Sequence, residues 1–294
     1  MSKTITVITP VYNRSNELEK LYRSLKNQND HNFEWFIIND GSSDLSVETE
    51  ILKWKKTNII NITYIYQNNS GKMAAYKKAI NLITSDYSIV VDSDDWLSSE
   101  AISIMKRSLS SISSNIGIAF PRRYPNNTKL YEWERLTLTK VDIISLKYEY
   151  KINETALLIN NKVLKEAFKQ FNIDNNEKFM SEEILYNTLS IFGMFKVNKE
   201  IFYNSVYQND GLTKNIFKIW LENPQNTILL LNSRYKATKN LKMRTRIMVK
   251  LKTILNYDAY CIAKQRNFLR ESPNIFLSIF LMPVATVITK IRFK

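Results

Sequence analysis

The sequence predicts an α/β protein: a mostly parallel sheet flanked by helices, with a basic helical appendage at the C-terminal end. Two observations predict the sheet. Short β-branched or aromatic runs alternate with amphipathic stretches through the first 120 residues, and a polar cluster follows each run. A third predicts the appendage. Residues 234–294 hold 14 Lys or Arg against two acids, whereas residues 1–233 hold 28 against 26.

The elements follow in order. Ile5–Thr9 is a β-branched strand ended by Pro10, and Asn16–Asn27 carries Leu18, Leu21, Tyr22 and Leu25 at helical spacing. Phe33–Ile38 reads as a second strand, Val47–Lys56 as a short helix, and Ile59–Tyr66 as a third strand. Gly71–Ile83 is amphipathic, and Ser88–Val91 is a short apolar strand running into Asp92. Helices near Asn161–Phe171 and Glu182–Phe192 and a strand near Phe195–Tyr203 punctuate a less regular middle. From about 214 the pattern is helical. In open sheets of this kind, ligands bind beyond the carboxyl ends of the strands. The clusters Pro10–Arg14, Asp40–Asp44, Asn68–Lys72 and Asp92–Asp95 all fall there.

Composition narrows the class. One cysteine, Cys261, precludes an intrachain disulfide and fits a reducing compartment. No charged-then-apolar leader precedes Ile5, so a cytoplasmic rather than secreted chain is expected. The C-terminal charge predicts attraction to a polyanion, either nucleic acid or anionic lipid. Against nucleic acid, the basic residues alternate with long aliphatic runs and lack the interleaved aromatics that stack bases.

The chemistry lies in the strand-end loops. In Asp92-Ser93-Asp94-Asp95, three carboxylates within four residues repel one another unless a cation or many donors sit among them. Hard oxygen ligands at a strand end suit Mg²⁺ or Mn²⁺. A solvated turn, or a helix cap by Asp94 or Asp95, explains the same string. Asp40, in Asp40-Gly41-Ser42-Ser43-Asp44, is placed to accept hydrogen bonds from a base or ribose, or to close an Asx turn. Asn69-Ser70-Gly71-Lys72 opens a helix, where a glycine, free N–H groups and a lysine favour phosphate.

Together, TVITPVYNRSNELEKLYRSLKNQ, FEWFIINDGSSD, NNSGKMAAYKKAI and SIVVDSDDWL resemble family 2 glycosyltransferases of the bacterial capsule and O-antigen type in order and spacing, over residues 4–97. The resemblance implies a GT-A, Rossmann-like fold with a nucleotide-sugar-binding half at 1–97 and an acceptor-binding half at 98–234. It implies that Thr9, Pro10, Tyr12 and Asn13 line the nucleotide pocket and that Asp40 reads a uracil-type base. Asn69, Gly71, Lys72, Asp92, Ser93 and Asp94 would hold the UDP-sugar, with Asp94 and Asp95 at the metal. Many relatives carry an Arg-Asn pair where this chain has Tyr76-Lys77-Lys78, which leaves Lys72 or Lys77 to supply the cation. The segment Glu177–Ile184 resembles one that carries an acid just before a helix. Glu182 is the expected base, with Glu183 the alternative, and a capping box begun by Ser181 competes with both. Tyr207–Thr213 resembles a following loop in which Asp210 binds hydroxyls, or serves only as a turn.

In the appendage, 235–294, Leu241–Leu255 reads as an amphipathic helix with Ile247, Met248, Leu251, Ile254 and Leu255 on one face. Ser272–Thr289 runs 18 residues without a charge but is interrupted by Pro283. A segment lying in an anionic membrane interface is expected, ahead of a buried helix or a spanning one. The sequence reading is thus a metal-dependent inverting transferase, peripheral on the inner face of a bacterial plasma membrane. It moves a sugar from a UDP-sugar to a saccharide acceptor, which the resemblance implies is lipid-linked, in cell-surface polysaccharide synthesis. A nucleic-acid-binding protein and an inactive membrane scaffold are the alternatives.

Overall fold

The computed structural model describes residues 3–112, 115–124, 130–174, 176–206 and 215–293. Its first part is the expected alternation: β1 (Ile5–Val11), α1 (Ser15–Lys26), β2 (Glu34–Asp40), α2 (Leu45–Thr57), β3 (Asn61–Gln67), α3 (Lys72–Leu82) and β4 (Tyr87–Val90). These strands lie in the order β3-β2-β1-β4, all parallel. β1 has its sequence neighbour on one side and β4 on the other, so the connection reverses there. This is the switch point at which open α/β sheets take their ligands.

The run of alternating side chains explains why the strands are so apolar. Val7, Trp35 and Ile37 enter one core with α1, α2 and the helix Ala101–Ser110, whereas Ile8, Phe36 and Ile38 enter a second with α3 and the helices Asn161–Phe168 and Glu183–Phe192. A sheet buried on both faces needs apolar residues at successive positions. Stacked Tyr22, Trp35 and Trp54 fill the first core, with ring centroids 4.4 Å apart for Tyr22 and Trp54.

The middle of the chain completes the sheet: β5 (Trp96–Leu97), α4 (Ala101–Ser110), β6 (Gly117–Arg123), α5 (Leu130–Arg135), β7 (Lys140–Val141), α6 (Ile143–Tyr148), β8 (Thr155–Asn160), α7 (Asn161–Phe168), α8 (Glu183–Phe192), β9 (Phe195–Val197) and β10 (Tyr203–Asn204). β8 joins β4 antiparallel, β6 joins β8 antiparallel, and β10 and β5 extend the edge. The single strand expected over Phe195–Tyr203 is two short ones. Asn198 breaks it, because its side-chain oxygen accepts the Glu200 N–H at 2.8 Å in an Asx turn.

The C-terminal part is helical: α9 (Ile216–Glu222), α10 (Pro224–Ala237), α11 (Met243–Ala263) and α12 (Ile275–Arg292). Position 235 lies in the last turn of α10, and the second core continues past it through Leu241, Val249, Tyr257 and Tyr260. The apolar face expected on α11 is only partly the buried one. Val249, Ile254, Tyr257 and Tyr260 are buried, but Ile247 and Met248 are exposed, because α11 packs against α10 and α12 through its later turns. α12 rests on α11 through Ser278 and Ala285, its two buried residues. Leu277, Leu281, Met282 and Ile288 are half-buried, and the other apolar side chains face outward: Phe276 is 86% exposed and Phe280 78%.

Candidate active site

Four loops at the carboxyl ends of β1 to β4 converge, and short-range chemistry holds them. Asn13 takes a left-handed backbone (φ 50°), which Asn tolerates better than most residues. Its side-chain oxygen accepts the N–H groups of Ser43 at 2.9 Å and Asp44 at 3.2 Å, tying the first loop to the second. Asp40, only 5% exposed, ties the second to the third. Its Oδ1 accepts Gln67 Nε2 at 2.7 Å and the Ser70 N–H at 2.9 Å, and its Oδ2 accepts the Gly71 N–H at 2.9 Å. The carboxylate expected to read a base is therefore engaged by the loop that opens α3.

Glycine is required at the same junction. Gly71 has φ 90°, and a Cβ there would lie 1.9 Å from the Lys178 carbonyl oxygen. This close approach brings the segment before α8 against the start of α3.

The Asp92–Asp95 string divides by environment. Asp92 Oδ1 pairs with the Lys72 ammonium, and Arg122 Nη2 lies 3.5 Å from its Oδ2. Burial alone would raise the Asp92 carboxyl, but these two cations outweigh it and hold it at about 2. Ser93 is buried. Asp94 pairs with Arg14 from the β1–α1 loop. Asp95 is 4% exposed and accepts the Tyr203 hydroxyl at 2.8 Å. Burial pushes its carboxyl up to about 6, against the pull of Arg122. Asp94 and Asp95 thus meet different partners. Among the described residues, no three His, Cys, Asp or Glu side chains come together as a metal cage.

Of the remaining expected residues, Thr9 is fully buried and its hydroxyl accepts Trp35 Nε1 at 3.0 Å, so its side chain serves the core. Pro10 and Asn69 are half-buried, and Tyr12 is 48% exposed at the rim. Asp210 and its loop lie outside the described residues.

The adjacent acids before α8 both line a cleft of about 870 Å³, with Lys72, Lys147, Lys178 and Asn223, but they differ in partners and exposure: the Glu182 side chain is 37% exposed and that of Glu183 12%. Glu182 Oε1 pairs with Lys72 and its Oε2 accepts the Tyr186 hydroxyl at 2.8 Å. The Glu183 carboxylate meets Arg234 Nη2 at 2.9 Å, Lys147 Nζ at 2.6 Å and the Tyr148 hydroxyl at 3.2 Å. Burial would raise it, but Arg234 and Lys147 prevail and hold it at about 2. It clamps α8 to α10 and α6, which does not suit it to accept a proton near neutral pH. The competing capping box is absent as drawn: Glu182 is itself the N-cap position, and the Ser181 hydroxyl accepts the Glu183 N–H at 3.3 Å.

Three contributors were missed by the sequence reading. Arg122, at the end of β6, lies under Asp92 and Asp95 and donates to the Tyr203 hydroxyl at 2.7 Å. Tyr203, on β10, in turn accepts the Asp92 N–H at 3.2 Å. Tyr186 orients Glu182. The available signal was an apolar run ending in Pro121-Arg122-Arg123, the same strand-then-polar pattern as the first four loops.

A mixed sheet whose parallel half ends in an anion-favouring helix start and an acidic loop, with an acid facing a cleft, is the architecture of a GT-A glycosyltransferase. Residues 6–179, more than half of the chain, match the model of glycosyl transferase family 2, and the chain belongs to that family of enzymes. It is similar to glycosyltransferase GlyA of Streptococcus pneumoniae serotype 4, with 36% identity over 114 residues, 39% of this chain. That match spans only 16% of GlyA. S. aureus TarS 1-349 in complex with UDP-GlcNAc superposes with a TM-score of 0.54 at 15% identity, over 97% of this chain and 92% of that one. Mannosyltransferase PcManGT from Pyrobaculum calidifontis, in complex with GDP-Man and Mn²⁺, gives 0.58 at 13% identity, over 98% and 81%. At these identities the solved structures speak for the fold alone.

Proposed function

We propose that this glycosyltransferase moves a sugar from a UDP-sugar to a saccharide acceptor by single displacement with inversion, Glu182 serving as base. One observation carries the reading. Lys72 pairs at once with Asp92 at the strand end and with Glu182 in the cleft, so the donor loop and the acid are one ammonium apart. The nucleotide would lie along the rim from Tyr12 to Asn69, its diphosphate at the α3 N-terminus near Lys72. The acceptor would occupy the cleft beside Glu182. Its hydroxyl oxygen bonds to the sugar C1 as the C1–oxygen bond to the diphosphate breaks. UDP leaves with the electron pair, and Glu182 takes the hydroxyl proton.

A divalent ion fits this site in a limited way. Mg²⁺ and Mn²⁺ bind through one or two carboxylates plus phosphate oxygens and water. Asp94 would be the protein ligand, since Asp95 is buried against Tyr203. When bound, the ion would offset charge on the leaving diphosphate. PcManGT in complex with Mn²⁺ supports divalent metal use in this fold.

The acceptor is proposed to be lipid-linked and the enzyme peripheral on the cytoplasmic face of the membrane, building a cell-surface polysaccharide. α12 supports this: it has a mean hydropathy of 1.7, 11% of it is buried, and a strongly basic tail surrounds it. A thermal-shift series with nucleotide sugars, with and without Mn²⁺, tests the donor reading. UDP-sugars are expected to raise Tm and Asp94→Ala to remove the metal-dependent part. A chain that no nucleotide stabilises would overturn it.

A further inference from the structure

Lys72 stands where two sites meet. It is the first residue of α3, immediately after Gly71, and it lines the cleft shared with Glu182. Its ammonium engages Oε1 of Glu182, while Tyr186 donates to Oε2 at 2.8 Å. Both oxygens of the proposed base are therefore in use. A full positive charge on one of them competes with an acceptor hydroxyl and opposes proton transfer to it.

The other partner of Lys72 has a second cation at hand. Asp92 also has Arg122 3.5 Å away, so it stays compensated if the ammonium moves. Lys72 is built to move: a flexible four-carbon stem carries a compact charge, and its side chain is 39% exposed. The start of α3 is also where a diphosphate is favoured, and its several charged oxygens compete with the Glu182 carboxylate for the ammonium.

We propose that Lys72 is a positioning residue that couples donor arrival to exposure of the base. Without a nucleotide diphosphate it masks Glu182. When the donor binds, the ammonium exchanges the Glu182 carboxylate for phosphate oxygens, and the base is open only while a donor is in place. No covalent bond changes in this exchange. The inference rests on the reading of Glu182 as base.

Carbodiimide labelling of carboxyls, read by mass spectrometry at Glu182, tests it with UDP and uridine as probes. In the wild type, UDP should raise Glu182 labelling several-fold and uridine should not. Lys72→Met should label at the raised level without UDP and bind UDP at least tenfold more weakly by calorimetry, with uridine binding unchanged. Lys72→Arg should keep both the masking and the UDP affinity. Labelling that UDP leaves unchanged or lowers in the wild type overturns the proposal, as does full UDP affinity in Lys72→Met. If Lys72→Met does not fold, the wild-type comparison of UDP with uridine decides. Failure of the base assignment is separate: it appears as full transfer by Glu182→Gln, whatever the labelling does.

Discussion

Glu182 and Glu183 are neighbours in sequence, and the structure predicts opposite consequences for the same substitution. Glu183→Gln removes a buried charge and leaves Arg234, itself 15% exposed, facing a neutral amide. Holding the carboxyl at about 2 instead of its ordinary 4.5 corresponds to roughly 3 kcal/mol at neutral pH. Breaking a buried pair from one side costs about 3–5 kcal/mol in general. For a chain of 294 residues the expected fall in Tm is roughly 5–8 °C. Glu182 is 37% exposed on its side chain, and loss of its pair with Lys72 is screened, so Glu182→Gln should change stability by less than about 1 kcal/mol. Loss of a general base should instead lower turnover by roughly 10²–10⁴-fold. The assay is calorimetric unfolding of both variants beside transfer rates at 25 °C, with UDP affinity measured on each. If Glu182→Gln unfolds early while Glu183→Gln keeps its Tm and loses turnover, the assignments are reversed and the argument from burial fails.

The pH dependence carries a second prediction. Burial raises Asp258 on α11 to about 6 from an ordinary 3.8, so its neutral form is favoured when folded. The stability that Asp258 contributes should then fall as pH rises from about 4 to 6 and level off above that; Asp95 adds a share of the same sign in the same window. Asp258→Asn should remove its share, up to about 3 kcal/mol, in urea unfolding at pH 4, 5, 6 and 7; an unaltered slope would refute the burial argument. Gly71→Ala should destabilise by about 2 kcal/mol or more, since φ 90° and a contact at 1.9 Å oppose any side chain; an unshifted urea midpoint would contradict this. Phe280→Asp, on the exposed face of α12, should abolish sedimentation with vesicles of anionic phospholipid and leave Tm unchanged, because that ring touches little protein. Undiminished sedimentation would refute the membrane reading of that face.

What could be read along the chain was whatever repeats or contrasts locally. Period-two and period-3.6 patterns placed β1 to β4 and their helices, because a sheet buried on both faces leaves runs such as Phe36-Ile37-Ile38 in the sequence. The same logic placed the acidic string after β4 and the glycine before α3. The short strands β5 and β7 left no pattern, since two residues hold no period, and β9 and β10 read as one strand because nothing local marked the break at Asn198.

Partners distant in sequence were decided only by packing. Arg122 and Tyr203 reach Asp92 and Asp95 because β6 and β10 pair side by side, though 81 positions separate the two. The outward face of α12 became visible only once α11 had covered Ser278 and Ala285, since an apolar run looks the same whether protein or lipid covers it. Glu182 and Glu183 are equivalent as letters. About 100° of rotation at the start of α8 leaves one beside Lys72, partly exposed in the cleft, and sets the other onto Arg234, 51 residues away, where two cations lock it in its charge.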